Sequence, residues 1–137
     1  MKGSTEPVIL LIGTVDTKSD ELLYLRERMT AAGAGVLVMD VGVLEPARFH
    51  PDISNEEVAA AGGVPLATVR GCGDENQAMT IMAGGASALA ARLHGEGMVD
   101  GMLALGGSMG TDLALDVAAA LPLGCPKVLL STIAHSQ

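Results

Sequence analysis

Four apolar runs separated by helix-like segments constrain the fold of this chain more than any other feature. The runs are VILLIG (8–13), GVLVMDVG (35–42), MVDGMLAL (98–105) and KVLLSTI (127–133). Continuous apolar runs with β-branched residues are typical of strands that are covered on both faces. Parallel strands need long crossover connections, which the intervening helices supply. The order predicts an α/β fold with a doubly wound, mostly parallel sheet, as a Rossmann-like three-layer αβα sandwich.

A first helix is predicted between the first two strands. Segment 14–33 offers Asp16 or Thr17 as the cap and Gly33 as the stop. Its apolar residues share one face, which we expect to pack on the sheet: Leu22, Leu25, Met29 and Ala32.

The middle of the chain combines a loop, a short helix and an ambiguous segment. Residues 43–54 contain two prolines and predict a long loop. Ser54 and Glu57 form a capping-box pair, which predicts a short helix ending at residues 62–63. VPLATV (64–69) fits a short strand or an extended connection, and the sequence leaves both open.

The longest helix signal runs from Asp74 to about residue 94, with Asp74 and Gln77 as a second capping-box pair. Gly84 and Gly85 would each cost about 1 kcal/mol inside a helix, so we expect another backbone to approach closely there. A last helix is expected over residues 110–121.

Length and composition limit the classes of protein and partner. The 137 residues suit one domain, spanning 1–137. A net charge of −8, with one Phe, one Tyr and no Trp, argues against binding nucleic acid. No apolar run approaches the roughly 20 residues that span a bilayer, and no signal cleavage site is evident, so we expect a cytoplasmic protein without membrane contact. The cysteines and histidines lack metal-ligand spacing, and we predict no metal site.

A glycine-rich loop follows the third predicted strand, in LALGGSMGTDLAL (103–115). Backbone without Cβ atoms can approach a ligand closely, and the next helix directs unsatisfied N–H groups and its positive dipole end to the same place. Ser108 and Thr111 add hydroxyl groups. The loop therefore predicts an anion site, most often for phosphate, although the same glycines could simply form a tight strand-to-helix turn.

GTVDTK (13–18) is a second loop at the same predicted sheet edge. Thr14 and Thr17 can donate to a phosphate and Lys18 can neutralise it, while Asp16 can cap the helix or reach a ligand hydroxyl or a hydrated metal. An ordinary helix cap with a solvated lysine is the alternative. Neither glycine loop matches the P-loop or GxGxxG fingerprint.

Polar residues also end the second and fourth predicted strands. Asp40 could accept a hydrogen bond from a ribose hydroxyl, as acids do at this position of dinucleotide folds, or it could hold the following turn. Ser131 and Thr132 could line the same cleft or be ordinary strand residues. The sequence leaves these alternatives open.

Five segments in order resemble the N-terminal domain of the Tm-1-like ATP-binding family, also called UPF0261. They are GTVDTKSDELLYLRERMTAAG, VLVMDVGVL, PDISNEEVAAAGG, LALGGSMGTDLAL and LPLGCPKVLLSTIA. The resemblance implies a nucleotide-binding α/β domain that binds ATP, with or without Mg²⁺, and that precedes a barrel-like C-terminal domain. By residue, it assigns to the nucleotide cleft Gly13, Thr14, Asp16, Thr17, Lys18, Gly106, Gly107, Ser108, Gly110 and Thr111.

The expected function is therefore binding of ATP through glycine-rich strand-to-helix loops. We identify no nucleophile or general base, so turnover by this domain alone is not expected. A kinase-like or dehydrogenase-like catalytic domain and a non-catalytic interaction module remain as alternatives. Whether the domain forms a homo-oligomer or pairs with a C-terminal barrel-type domain is also left open.

Overall fold

A computed structural model describes residues 6–131, apart from the side chains of Ser108 and Met109. Strands and helices alternate as the apolar runs predict. In chain order they are β1 (Val8–Gly13), α1 (Ser19–Ala31), β2 (Gly35–Asp40), α2 (Asn55–Ala61), α3 (Leu66–Gly71), α4 (Glu75–Gly95), β3 (Gly101–Gly106), α5 (Ser108–Ala120) and β4 (Lys127–Ser131). None of the helices in this part of the chain is both long and apolar enough to cross a bilayer.

The strands form one parallel sheet in the order β2-β1-β3-β4. Ile12 of β1 lies beside Met39 of β2 on one side and beside Ala104 of β3 on the other. The carboxyl ends of the strands therefore meet at one edge, where parallel α/β sheets bind their ligands. This arrangement confirms the predicted α/β, Rossmann-like fold.

The two faces of the sheet are covered by different helices because successive strand residues point to opposite sides. Leu11 and Val38 pack with Leu22 of α1 on one face. Leu10 and Met39 belong to a larger core on the other face, together with buried residues of the helices α2, α3, α4 and α5. The sheet is thus the middle layer of three.

The predicted cap of α1 is wrong, the predicted capping box at α2 is confirmed, and at α4 the structure shows the Asp74 half of the predicted pair. The N-cap of α1 is Lys18, and no side chain in the described chain caps it. Asp16 cannot serve because its carboxylate accepts hydrogen bonds from a different loop. Ser54 and Glu57 form both bonds of the capping box at α2, and Asp74 accepts from the first-turn amides of α4.

Segment 64–69 was expected to be extended, and this prediction is wrong: residues 66–71 form the short helix α3. Leu66 and Val69, three residues apart, are both buried on the helix side that meets the core. Pro65 at the N-cap has the φ of −63° that its ring imposes. Tertiary burial of this one face outweighs the strand preference of the β-branched residues.

Candidate functional site

A cleft of about 440 Å³ opens at the carboxyl edge of the sheet. Its size lies within the range of sites for small ligands, roughly 300–1,000 Å³. Segments 14–18, 41–44 and 106–110, which follow β1, β2 and β3, contribute residues to one wall. Segment 69–79, where α3 gives way to α4, contributes the other wall. The cleft therefore lies where the topology places a ligand site.

The glycines of the loop after β3 differ in what they make possible. A Cβ on Gly106 would lie 2.6 Å from the carbonyl carbon of Gly110, so only glycine lets α5 begin directly against the end of β3. Gly110 differs, because a Cβ there would meet no protein atom within 4 Å. Position 110 thus lines the cleft and has no protein atom beside the place of a Cβ.

The first turn of α5 points toward this cleft without a side-chain cap from the described residues. Its N-cap is Gly107, whose carbonyl oxygen accepts from the Thr111 amide at 2.9 Å. The amides ahead of that bond have no intrahelical acceptor, as at every helix start. Together with the helix dipole they make a favourable place for an anion.

Thr111 and Ser131 hold the loop rather than line the cleft. Thr111 Oγ1 donates to the carbonyl oxygen of Gly107 at 2.6 Å and lies 2.9 Å from Ser131 Oγ. These contacts tie the start of α5 to the end of β4. Of the other predicted residues, Thr132 and the side chain of Ser108 lie outside the described part of the chain.

The loop after β1 brings Thr14, Thr17 and Lys18 to the cleft wall. The two threonine hydroxyls lie 2.6 Å apart, and the Lys18 amide donates to the Thr14 carbonyl at 2.8 Å. Gly13, by contrast, serves packing, because a Cβ there would lie 2.8 Å from the Leu22 side chain. The cation and the hydroxyls of this loop stand beside the glycine loop because β1 and β3 are neighbours.

Asp16 lines the cleft and is almost completely buried, with 2% of its surface exposed. Its Oδ2 accepts from the amides of Leu44 and Glu45, both at 3.0 Å, and its carbonyl oxygen accepts from Arg48 Nε at 3.0 Å. Its Oδ1 is buried and has no hydrogen-bond partner among the described residues. Leaving a buried carboxylate oxygen unpaired is costly, which marks a position where a ligand could supply a donor.

Asp40 lies beneath the cleft wall and is 1% exposed. Its Oδ1 accepts from the Val15 amide at 3.0 Å and from the Gly42 amide at 2.8 Å. Burial raises the pKa of this carboxyl, and the charge of Asp16 adds to the rise, while the two amides and Arg70 oppose it. These contacts are those of a residue that holds a turn; a ribose contact by Asp40 stays a prediction.

Comparison with known proteins identifies the family. Residues 7–137 match the family model described as the N-terminal domain of UPF0261, an uncharacterised protein family. The chain belongs to the UPF0261 family.

Relatives of this UPF0261 domain occur in bacteria and in a plant. A UPF0261 protein of Brucella suis is 50% identical over 134 residues, which cover 98% of this chain and 32% of the relative. The ToMV susceptible protein tm-1(GCR26) of Solanum lycopersicum is 31% identical over 149 residues, covering 98% of this chain and 20% of that protein. This chain thus spans about a third or less of the length of these relatives.

The second wall of the cleft, residues 69–79, was not predicted for this UPF0261 domain. It contributes the apolar side chains of Val69 and Met79 and the acidic residues Asp74 and Glu75. The capping pair at Asp74 located the start of α4 correctly, but a helix start in sequence does not reveal what it faces. Residues 41–44 of the first wall were not named as site residues either, although the end of β2 places them at the ligand-binding edge.

Proposed function

We propose that this domain binds ATP or a closely related nucleotide in the cleft, with the phosphates at the start of α5. The observation that carries the proposal is Gly110, which lines the cleft with open space where a Cβ would stand. Next to it, the first turn of α5 has no side-chain cap from the described residues. Uncapped amides and absent side chains are what close contact with a phosphate requires.

Two further features support a nucleotide: one complements the phosphates and the other complements a base. Lys18 and the hydroxyls of Thr14 and Thr17 line the cleft close to the glycine loop, and they complement phosphate charge. The rest of the cleft contains apolar side chains, including Val69 and Met79, that suit a base. The family resemblance adds ATP as the specific nucleotide. The proposal is one of binding, and it assigns no residue to a chemical step.

A single methyl group tests the phosphate site. Gly110→Ala places a Cβ in the cleft where it meets no protein atom, so we expect the variant to fold. Because glycine disfavours helices, the substitution should stabilise α5 by about 0.5–1 kcal/mol. ATP affinity, measured by calorimetry with and without Mg²⁺, should nevertheless fall by about tenfold or more, since the methyl group occupies ligand space.

Gly84→Ala is the matched control. Gly84 is also a helical glycine without a protein atom within 4 Å of an added Cβ, but it lies in α4 away from the cleft lining. We expect the same gain in stability and unchanged ATP affinity. Equal ATP affinity of the Gly110→Ala variant and the wild type would remove the glycine loop from the site, and absence of ATP binding to the wild type would refute the proposed function.

A further inference from the structure

The strand order gives the cleft two distinct ends. Because β1 lies between β2 and β3, the segment after β2 (41–44) and the segment after β3 (106–110) flank the β1 loop on opposite sides. Neighbouring strands are about 4.8 Å apart, so the two segments are separated by roughly 10 Å. We call the part of the cleft beside segment 41–44 the β2 end and the part beside segment 106–110 the β3 end. The wall formed by residues 69–79 borders the β2 end, because Arg70 contacts Val43.

The charges at the two ends are opposite. The β3 end has the uncapped start of α5 with its positive dipole end, and Lys18 stands in the β1 loop between the two ends. At the β2 end lie the buried carboxyls of Asp16 and Asp40.

The second wall adds further acidic residues. Asp74 and Glu75 line it, and Asp74 already satisfies the first amides of α4. Arg70 and Arg48 offset part of this negative charge: the exposed Arg70 lines the β2 end and its Nε donates to the carbonyl oxygen of Val43, while Arg48 Nε donates to the carbonyl oxygen of Asp16. The carboxyls of Asp16, Asp40, Asp74 and Glu75 outnumber these two cations. A phosphate is therefore favoured at the β3 end and disfavoured at the β2 end.

The unpartnered oxygen of Asp16 indicates that the β2 end favours a ligand group that donates a hydrogen bond. A Cβ on Gly42 would lie 2.6 Å from Asp16 Oδ1, so this buried oxygen lies against Gly42, and both residues line the cleft. Within the described chain it has no hydrogen-bond partner. A carboxylate oxygen needs a donor, and a ribose hydroxyl or an amino group supplies one, whereas an ionised phosphate oxygen does not.

An exposed leucine stands at the same end. Leu44 lines the cleft although 69% of its surface is exposed, and its amide is fixed by Asp16 Oδ2 at 3.0 Å. Met79, from the opposite wall, also lines the cleft. A flat apolar group in contact with the Leu44 side chain would bury surface that is otherwise in contact with water.

We infer that the cleft binds a nucleotide in one orientation, with its phosphates at the β3 end and its nucleoside at the β2 end, where Leu44 contacts the base and Asp16 accepts a hydrogen bond from the nucleoside. This inference rests on the proposed function and adds the residues that distinguish a nucleotide from a bare polyphosphate. Asp16 also acts as a positioning residue, because it holds the loop that carries Leu44.

The orientation is tested by comparing ATP with inorganic tripolyphosphate in calorimetry on the 137-residue chain. Leu44→Ser should lower ATP affinity about tenfold and change tripolyphosphate affinity by less than about twofold, because only the nucleoside contact is lost. The matched control is Leu123→Ser, at a fully exposed leucine outside the cleft lining, which should leave both affinities unchanged.

Asp16→Asn supplies a second test, in which the affinities for ATP and tripolyphosphate should not change in the same direction. Its amide oxygen can still accept from the amides of Leu44 and Glu45, while its NH₂ group replaces the unpaired acceptor by a donor. We expect ATP affinity to fall about tenfold and tripolyphosphate affinity to stay equal or rise. Far-ultraviolet circular dichroism verifies folding, and Leu44→Ser decides the matter if this variant does not fold.

The outcomes separate the two proposals. Failure of the wild type to bind either ligand refutes nucleotide binding itself. If the wild type binds tripolyphosphate as tightly as ATP, if Leu44→Ser weakens both ligands equally, or if Asp16→Asn strengthens ATP binding, then the orientation is wrong while the phosphate site stands.

Discussion

Asp16 and Asp40 are both buried carboxyls at the carboxyl edge of the sheet, but they differ in their hydrogen-bond partners. Asp40 Oδ1 accepts from two amides and closes the turn after β2. Asp16 satisfies one oxygen with two amides and leaves the other unpaired in the described chain. The residues alone left both roles open for each acid, because an acid after a strand looks the same whether it binds the chain or a ligand.

Asp40 should make the stability of the domain depend on pH. Burial raises its pKa above the ordinary value of 3.8, so between that value and the folded-state pKa the folded protein holds a proton that the unfolded chain has lost. The contribution of this proton is complete at pH below 3.8 and is lost as pH rises through the folded-state pKa.

Asp40→Asn isolates this effect, because Asn does not titrate and its amide oxygen can still accept from Val15 and Gly42. Urea unfolding of both proteins across the acid-to-neutral range should show the wild type losing stability relative to the variant as pH rises. A difference that stays constant, or that moves in favour of the wild type, would contradict the raised pKa.

At the scale of secondary structure, the crossing of α2 and α4 requires glycine at the closest backbone contact, Gly85. A Cβ on Gly85 would overlap the carbonyl oxygen of Val58 and lie 3.0 Å from the Gly62 amide nitrogen. The expected close backbone approach is therefore confirmed at Gly85, whereas Gly84 next to it is open. Adjacent glycines cannot be distinguished in the sequence, since only the helix phase decides which one faces the neighbouring helix.

Gly85→Ala should destabilise the domain by about 1–3 kcal/mol, because the methyl group forces two packed helices apart and this exceeds the gain in helix propensity. Gly84→Ala should instead stabilise the domain by about 0.5–1 kcal/mol, because nothing lies within 4 Å of its Cβ. Denaturant unfolding of the two variants at the same pH gives the comparison directly. Equal or greater stability of Gly85→Ala would show that α2 yields easily at this contact.

Helices and strands could be predicted wherever their buried residues form a continuous apolar run or recur at helical spacing in the sequence. The four strands and the helices α1, α2, α4 and α5 follow from continuous apolar runs and from helical spacing. Helix α3 was not predictable, because six residues carry too few turns to distinguish a helix from a strand, and its buried pair Leu66 and Val69 acquires meaning only against the core. The cap of α1 failed for a related reason: Asp16 bonds to a loop 28 residues further along the chain.

At the scale of the whole molecule, one of the two walls of the cleft could be predicted from the sequence. The wall formed by strand ends follows from the parallel order, because carboxyl ends meet at one edge. The wall formed by residues 69–79 arises from the path of α3 and α4 across the sheet. Nothing local encodes that path, so Met79 could be assigned to the cleft only after the fold was known.

The net charge of the molecule predicts an unusual salt dependence of ATP binding. The chain carries a net charge of −8, so its long-range field repels an anionic nucleotide even though Lys18 and the start of α5 attract it on contact. Screening acts mainly on the distant charges, since the Debye length falls from about 30 Å at 0.01 M to about 8 Å at 0.15 M salt.

The association rate of ATP, measured by stopped-flow mixing, should therefore rise a few-fold between these two ionic strengths. Adenosine, which is neutral, serves as the control, and its association rate should not change. The dissociation rate of ATP should change less than its association rate, because the contacts at the cleft are short and partly shielded from salt. An ATP association rate that falls with added salt would show that the local positive charge of the cleft governs the approach of the ligand, and that the acidic surface contributes little at the distance where binding begins.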